Sequence, residues 1–241
     1  MKIAGKAVLV TGANRGIGRA LVEEALRRGA KRVYAGTRQP LSHPDGRVTP
    51  LTLDITDETQ IIRAVEEVEA LDVLVNNAGG SVVSDLGDRA AFEQQFAVNF
   101  FGPNAVTQAF LPLLIHSQGA IVNILSSTAL GPMPLTPAYS ASKAAALCLT
   151  QAQRSLLAGQ GVSVHGVLPG PVDTDATRGF DMPKASPESV AQAIFDGVEN
   201  EEEEIFPDPM SQPLAESWRG GAAKIMERRL AAMMAAAPAK P

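Results

Sequence analysis

Short apolar runs recur along the chain, each followed by a longer segment with helical spacing. They are residues Ala7 to Val10, Val33 to Ala35, Val48 to Leu53, Val73 to Val75, Ile121 to Leu125, Val162 to Leu168, and the pair Ile205-Phe206. Runs this short and this continuously apolar, alternating with helix-length segments, predict buried strands of a parallel sheet covered on both faces. The intervening segments carry their own signals. Ile17, Leu21 and Ala25 with Val22 and Leu26 make one helical stripe, and Gly29 stands where a C-terminal cap would end it. Asp57 with Gln60 reads as a capping box ahead of Ile61, Ile62, Val65 and Val68. Ser186-Pro187 offers an N-cap and a first-turn proline before Val190, Ile194 and Val198. Seven strands joined by right-handed crossovers give an α/β fold with a doubly wound sheet.

Composition narrows this. With 241 residues, 45% of them hydrophobic, the chain can bury one core, so residues 1–241 are expected to form a single domain. The net charge of −5 and the lack of a long basic run argue against nucleic acid as a partner. One cysteine excludes an internal disulfide, and the N-terminus enters Ala7 to Val10 without a signal-peptide core. No apolar stretch approaches the roughly 18 to 20 residues of a membrane helix, so a cytoplasmic protein with no membrane partner is expected. Cys148, among Ala145, Leu147 and Leu149, reads as a buried inert thiol, and Glu201 to Glu204 as a solvated loop. The segment 211–241 reads as a C-terminal extension in which Trp218 packs on the sheet edge and the tail from Ala222 is a surface helix.

Candidate chemistry begins directly after the first run, at Thr11-Gly12-Ala13-Asn14-Arg15-Gly16-Ile17-Gly18. Glycines at a strand-to-helix turn let backbone approach a pyrophosphate, and a helix N-terminus offers free N–H groups and a positive dipole end. The second strand ends in Tyr34-Ala35-Gly36-Thr37-Arg38. A carboxylate there would hold free ribose hydroxyls; instead Thr37 is followed by Arg38, and Arg15 can reach the same place, so a 2′-phosphate is favoured and the expected cofactor is NADP (NADPH), with NAD less favoured.

Tyr139 and Lys143 stand four apart in Ala138-Tyr139-Ser140-Ala141-Ser142-Lys143 and so share a helix face. An ammonium beside a phenol stabilises the phenolate and brings the group toward useful acid or base strength. Together with the glycine turn, with Asn76-Asn77-Ala78-Gly79, Asn99, Ser126 and Pro169-Gly170, this resembles the short-chain dehydrogenase/reductase family in its short single-domain branch, over Thr11 to Thr174. The resemblance implies a Rossmann fold and an oxidoreductase that moves a hydride between nicotinamide and a ketone or secondary alcohol, as a carbonyl reductase does. It implies Tyr139 as proton donor or acceptor, Lys143 as the group that lowers its pKa and holds the nicotinamide ribose, Ser126 on the substrate oxygen, and Asn99 holding a water that exchanges protons with Lys143. Ser126, thirteen before Tyr139, is favoured over Ser127.

The resemblance also implies contacts of Asp54 and Ile55 with adenine, of Asn77, Ala78 and Gly79 beside the adenosine ribose, and of Pro169, Gly170, Val172 and Thr174 with the nicotinamide end and pyrophosphate; Asn76 is read as structural. Residues 175–185 form the expected substrate loop, with Met133, Leu135, Phe180 and Met182 making an apolar pocket for a small carbonyl or alcohol. The three histidines lack metal-ligand spacing, so no metal is expected. Two alternatives keep the fold: a nucleotide sensor or scaffold without turnover, and a halohydrin dehalogenase-like elimination, which Lys143 and the glycine turn disfavour. The resemblance implies a homotetramer or homodimer that pairs the helices carrying Asn99 and Tyr139.

Overall fold

The computed structural model describes residues 1–179 and 181–236. The seven apolar runs form β1 (Ala7–Thr11), β2 (Arg32–Thr37), β3 (Val48–Thr52), β4 (Val73–Asn76), β5 (Ala120–Ile124), β6 (Ser163–Val167) and β7 (Glu204–Ile205). All pair in parallel, in the order β3-β2-β1-β4-β5-β6-β7. Chain order reverses between β1 and β4, so the loops leaving these strands diverge and open a crevice at their carboxyl ends.

The connections hold α1 (Gly16–Arg27), α2 (Glu58–Glu67), α3 (Arg89–Phe96), α4 (Gly102–Ser117), α5 (Pro137–Leu157) and α6 (Pro187–Glu199); α7 (Leu214–Arg219) and α8 (Ala222–Ala236) follow the sheet. Strand side chains alternate between two cores. Val8, Val10, Val33 and Val75 pack toward α1 and α6, whereas Leu9, Tyr34, Leu74 and Ile121 pack toward α2, α4 and α5. The predicted helix ends form. Gly29 takes φ of +81° beyond α1, and Ser186 caps α6 by accepting from the Ser189 N–H at 3.1 Å. Asp57 accepts from the N–H groups of Thr59 and Gln60 at the start of α2. Gln60 does not return the bond as a capping box would: its amide oxygen accepts from the Asp54 N–H at 2.8 Å, tying α2 to the chain leaving β3. Among the described residues no helix is long and apolar enough to cross a membrane.

Two surface expectations are overturned. Glu201 to Glu204 is not a solvated loop throughout, because Glu204 lies buried in β7. Lys224 of α8, only 1% exposed, reaches Glu203, Glu204 and Glu227 at 2.7 to 2.9 Å, and Arg154 of α5 joins Glu204 at 2.9 Å. Cations brought from distant parts of the chain make the burial of an acid tolerable, and local composition carries no sign of them. Cys148 is exposed on α5, in line with exposed Ala144, Ala152 and Leu156. Trp218 packs against the cluster of Leu125, Leu147, Leu168 and Phe206 at the sheet edge.

Replacing Lys224 by Met leaves Glu204 buried with one cation fewer. This is expected to cost about 3 to 5 kcal/mol in urea unfolding, with part of the loss recovered by adding Glu204→Gln.

Candidate active site

The crevice is built where β1 and β4 end. The Thr11 hydroxyl donates to the Val75 carbonyl at 3.3 Å and accepts from the N–H groups of Asn77 and Ala78, each at 3.0 Å. The Asn77 amide donates back to the carbonyls of Thr11 (2.8 Å) and Gly12 (3.2 Å). Gly12 has φ of +67°, and a Cβ there would stand 2.9 Å from Ala78 Cα. A Cβ on Gly18 would fall 2.1 Å from the Gly12 carbonyl oxygen, so turn and helix meet backbone to backbone. No side chain caps the N-terminus of α1. Its first N–H groups and positive dipole end are the donors an anion needs, and the residues present therefore fit a pyrophosphate.

Two further segments border the turn. Leu53 N–H donates to the Thr37 carbonyl at 2.8 Å, which sets Thr37 and exposed Arg38 beside Asp54 and buried Ile55. Thr37 turns its hydroxyl to the Gln39 carbonyl, and Asp54 accepts from the Thr56 N–H and hydroxyl. On the other side, a Cβ at Gly16 would lie 3.0 Å from Thr174 Cγ2, so the chain after β6 abuts the glycine turn. Arg15 binds Asp175 at 2.8 Å, and Arg178 holds the same carboxylate. The base of the 175–185 segment is closed by a bridge between Val172 and Ala185. Met133, Leu135 and Met182 are partly exposed, whereas Phe180 lies outside the described residues.

The polar set converges from β5, α5 and the α3–α4 junction. A π-helical stretch, Ala97–Phe101, widens that junction and turns Asn99 inward. The Asn99 amide nitrogen lies within bonding distance of the Gly80 carbonyl, Gln95 and Ser142, and its oxygen accepts from the Gly80 N–H at 3.2 Å. Lys143 is buried one turn beyond Tyr139; its ammonium donates to the Ile124 carbonyl at 2.8 Å and lies 5.8 Å from the centre of the Tyr139 ring. Ser126 stands near enough to Tyr139 to favour its phenolate. Its neighbour Ser127 is held elsewhere, its N–H on the Pro169 carbonyl. A cavity of about 20 Å³, room for one water, is lined in part by Asn76, Asn99, Asn123 and Lys143. The Asn76 Oδ1 atom is buried and has no hydrogen-bond partner.

Electrostatics differ from the sequence expectation in one respect. Burial pushes the Tyr139 phenol above its ordinary value, and the contact that pulls it back is Ser126, not Lys143. Burial likewise lowers Lys143 to about 8. At neutral pH the site therefore holds a protonated phenol beside a lysine that releases its proton easily, an arrangement suited to giving a proton to a developing alkoxide.

Sequence reasoning missed two residues. Asp208, 2% exposed, accepts from the Gly170 N–H at 2.7 Å and fixes the chain leaving β6, a role that Pro207-Asp208-Pro209 signals only as a turn. Thr128 binds Ser126, through its N–H at 3.1 Å and its hydroxyl at 2.9 Å.

The profile of a family described as short chain dehydrogenase matches residues 6–184. A short-chain dehydrogenase of Penicillium crustosum is 42% identical over 182 residues; the match covers 70% of this chain and 66% of that protein, so the chain spans just under two thirds of that relative's length. A sorbitol dehydrogenase of Cereibacter sphaeroides is 32% identical over 203 residues, 79% of each chain. Among solved structures, a short chain dehydrogenase from Burkholderia cenocepacia in complex with NADP superposes with a TM-score of 0.87 at 37% identity, covering 95% of this chain and 99% of that one.

A lysine titrating near 8 instead of 10.5 makes folding less favourable wherever it is charged in both states, that is, below pH 8. Lys143→Met is expected to stabilise the ligand-free protein by about 3 kcal/mol at pH 7 in urea unfolding. The gain should shrink as pH rises from about 8 toward 10.5, because the folded wild type then sheds the proton.

Proposed function

The chain belongs to the short-chain dehydrogenase/reductase family, and we propose that it transfers hydride between NADP(H) and a ketone or secondary alcohol, with Tyr139 as general acid and base. The observation that carries this reading is the convergence of Ser126, Tyr139 and Lys143 beside a glycine turn whose helix N-terminus has no cap. When bound, the dinucleotide supplies or accepts the hydride at its nicotinamide ring.

Everything else falls to the side chains. In reduction, Tyr139 gives its proton to the substrate oxygen while Ser126 donates a hydrogen bond to it, so charge on that oxygen meets two fixed donors. Lys143 restores the proton and bonds the nicotinamide ribose. Asn99 braces the Gly80 loop, and the cavity below Lys143 has room for the water that passes protons onward. Gly12, Asn14, Gly16, Ile17 and Gly18 would hold the pyrophosphate and adjoining ribose, and Arg15, on Asp175 in the ligand-free chain, would turn to the 2′-phosphate; Asn77, Ala78 and Gly79 would border that ribose, and Asp54 and Ile55 the adenine. Pro169, Gly170, Val172 and Thr174 hold the nicotinamide end, with Asp208 bracing Gly170. The exposed guanidinium of Arg38, with no acid at Thr37, supports the 2′-phosphate form, as does the NADP complex of the Burkholderia relative.

The 175–185 segment is the substrate loop of this single domain, and the partly exposed Met133, Leu135 and Met182 support an apolar substrate. The exposed apolar line through Ala144, Cys148, Ala152 and Leu156 on α5, with Phe101 at the start of α4, supports pairing of these helices between copies. A homodimer or homotetramer follows.

An NADPH-consumption screen over ketones, aldehydes and quinones should find turnover that Tyr139→Phe reduces at least a hundredfold; binding of NADPH without turnover of any member would instead mark a nucleotide sensor. Arg38→Ala should weaken NADPH binding at least tenfold while leaving NADH binding unchanged, and an unaltered ratio would overturn the cofactor preference. Light scattering should give two or four times the 25.3 kDa chain mass.

A further inference from the structure

Ser126 carries one proton and two acceptor lone pairs, and its role depends on where that proton points. Two contacts come from a single neighbour. The Thr128 N–H lies 3.1 Å from Ser126 Oγ and the Thr128 hydroxyl oxygen 2.9 Å from it, because Ser126 caps the short 3₁₀ turn Ser127–Ala129. The N–H can only donate, so it occupies the first lone pair. The hydroxyl pair could run either way, and Ser126 has a single proton to give either to Thr128 or to the side of Tyr139, whose phenolate it is near enough to stabilise. If Thr128 donates, both lone pairs of Ser126 are filled and its proton has one destination, the oxygen of Tyr139 or of a substrate beside it.

We propose that Thr128 is a positioning residue that fills the second lone pair of Ser126 and so forces the Ser126 hydroxyl to act as a donor toward the reacting oxygen. Ser126 is then a fixed donor instead of a rotor, and it makes no turn when negative charge develops on that oxygen. The same orientation serves the ligand-free state: a Ser126 proton aimed at the phenol stabilises the phenolate, the one contact that opposes the effect of burial on Tyr139. Lys143, the cation near that ring, sits on the Ile124 carbonyl and is not bonded to Thr128.

The inference rests on the proposed role of Ser126, and it can fail independently of that role. Thr128→Val keeps shape and N–H and deletes only the hydroxyl; Thr128→Ser restores a donor. With whichever carbonyl substrate the screen finds, Thr128→Val should lower kcat about tenfold at little change in KM, the size of one oriented hydrogen bond, and Thr128→Ser should recover most of it. The second readout needs no cofactor. Chain tyrosines number two, so in a Tyr34→Phe background the ultraviolet titration of the ligand-free protein reports Tyr139 alone. Thr128→Val should move that titration upward by about half a unit, and Thr128→Ser should leave it in place. Unchanged kcat and unchanged titration in Thr128→Val, while Ser126→Ala is inactive, would overturn the positioning role and leave the oxidoreductase reading standing. Full activity of Ser126→Ala would overturn both. Loss of the native circular dichroism in Thr128→Val, with full activity and titration retained by Thr128→Ala, would likewise overturn it, since the hydroxyl would then be dispensable.

Discussion

The structure depends on the contact between the ends of β1 and β4. At this point strand order reverses, and the chain must turn away on both sides without leaving buried backbone unpaired. Thr11 and Asn77 solve this reciprocally: the hydroxyl takes the two N–H groups that leave β4, and the amide takes the two carbonyls that leave β1. With those groups satisfied inside the protein, the first turn of α1 keeps its N–H groups for something else. Every other element of the site is placed relative to this seam, from Thr37 on β2 to Thr174 after β6.

A second constraint runs through α5, whose sides are partly inverted relative to an ordinary surface helix. Its buried face carries Ser140, Ser142, Lys143, Thr150 and Gln153 among Ala138, Leu147 and Leu157, and its exposed face carries Ala144, Cys148, Ala152 and Leu156. The buried polar groups are used. Gln153 and Thr150 take the Asn123 amide, Asn123 takes that of Asn76, and Thr107 completes the chain from α4. Lys143 is carried at a cost in stability, its burial makes its proton labile, and the proposed mechanism is what uses a titrating ammonium under the phenol. A helix with its polar face inside and apolar face outside is a poor monomer, which links the geometry of the site to the proposed pairing of copies.

This inversion marks where sequence pattern stops being informative. The strands were legible because the central ones, β1, β2 and β4, are apolar on both faces and the others keep short apolar runs, and the helix boundaries because Gly29, Asp57 and Ser186 act locally. Tyr139 and Lys143 were legible because a four-residue spacing is a statement about one helix face. Cys148 was misplaced because apolar neighbours were taken to mean burial on a helix whose buried face is polar. Glu204 with Lys224, and Asp208 with Gly170, join segments that meet only after folding, and a carboxylate in a sequence does not announce the group that will bury it. Thr128 escaped notice for a different reason: its contact is local, but it matters only once Ser126 is known to face Tyr139.

The glycines acquire a different meaning in the same light. Read along the chain, Gly12, Gly16, Gly18, Gly79 and Gly170 are positions where a dinucleotide would lie against bare backbone. In the folded chain Gly18 meets the Gly12 carbonyl, Gly12 meets Ala78, Gly79 meets Asn99, and Gly170 meets Asp208, each closer than any side chain allows. Gly16 holds φ of +52°, where an L side chain is strained, while the neighbours of Gly79 and Gly170 are side-chain oxygens that can shift. Gly12, Gly16 and Gly18 are therefore required by the backbone of the protein itself, and a family member that had lost its nucleotide would keep them. What argues for a nucleotide is the uncapped helix start beside them, since a protein with no anion to bind gains about 1 kcal/mol by placing Ser, Asp or Asn at the N-cap, where this chain has Arg15.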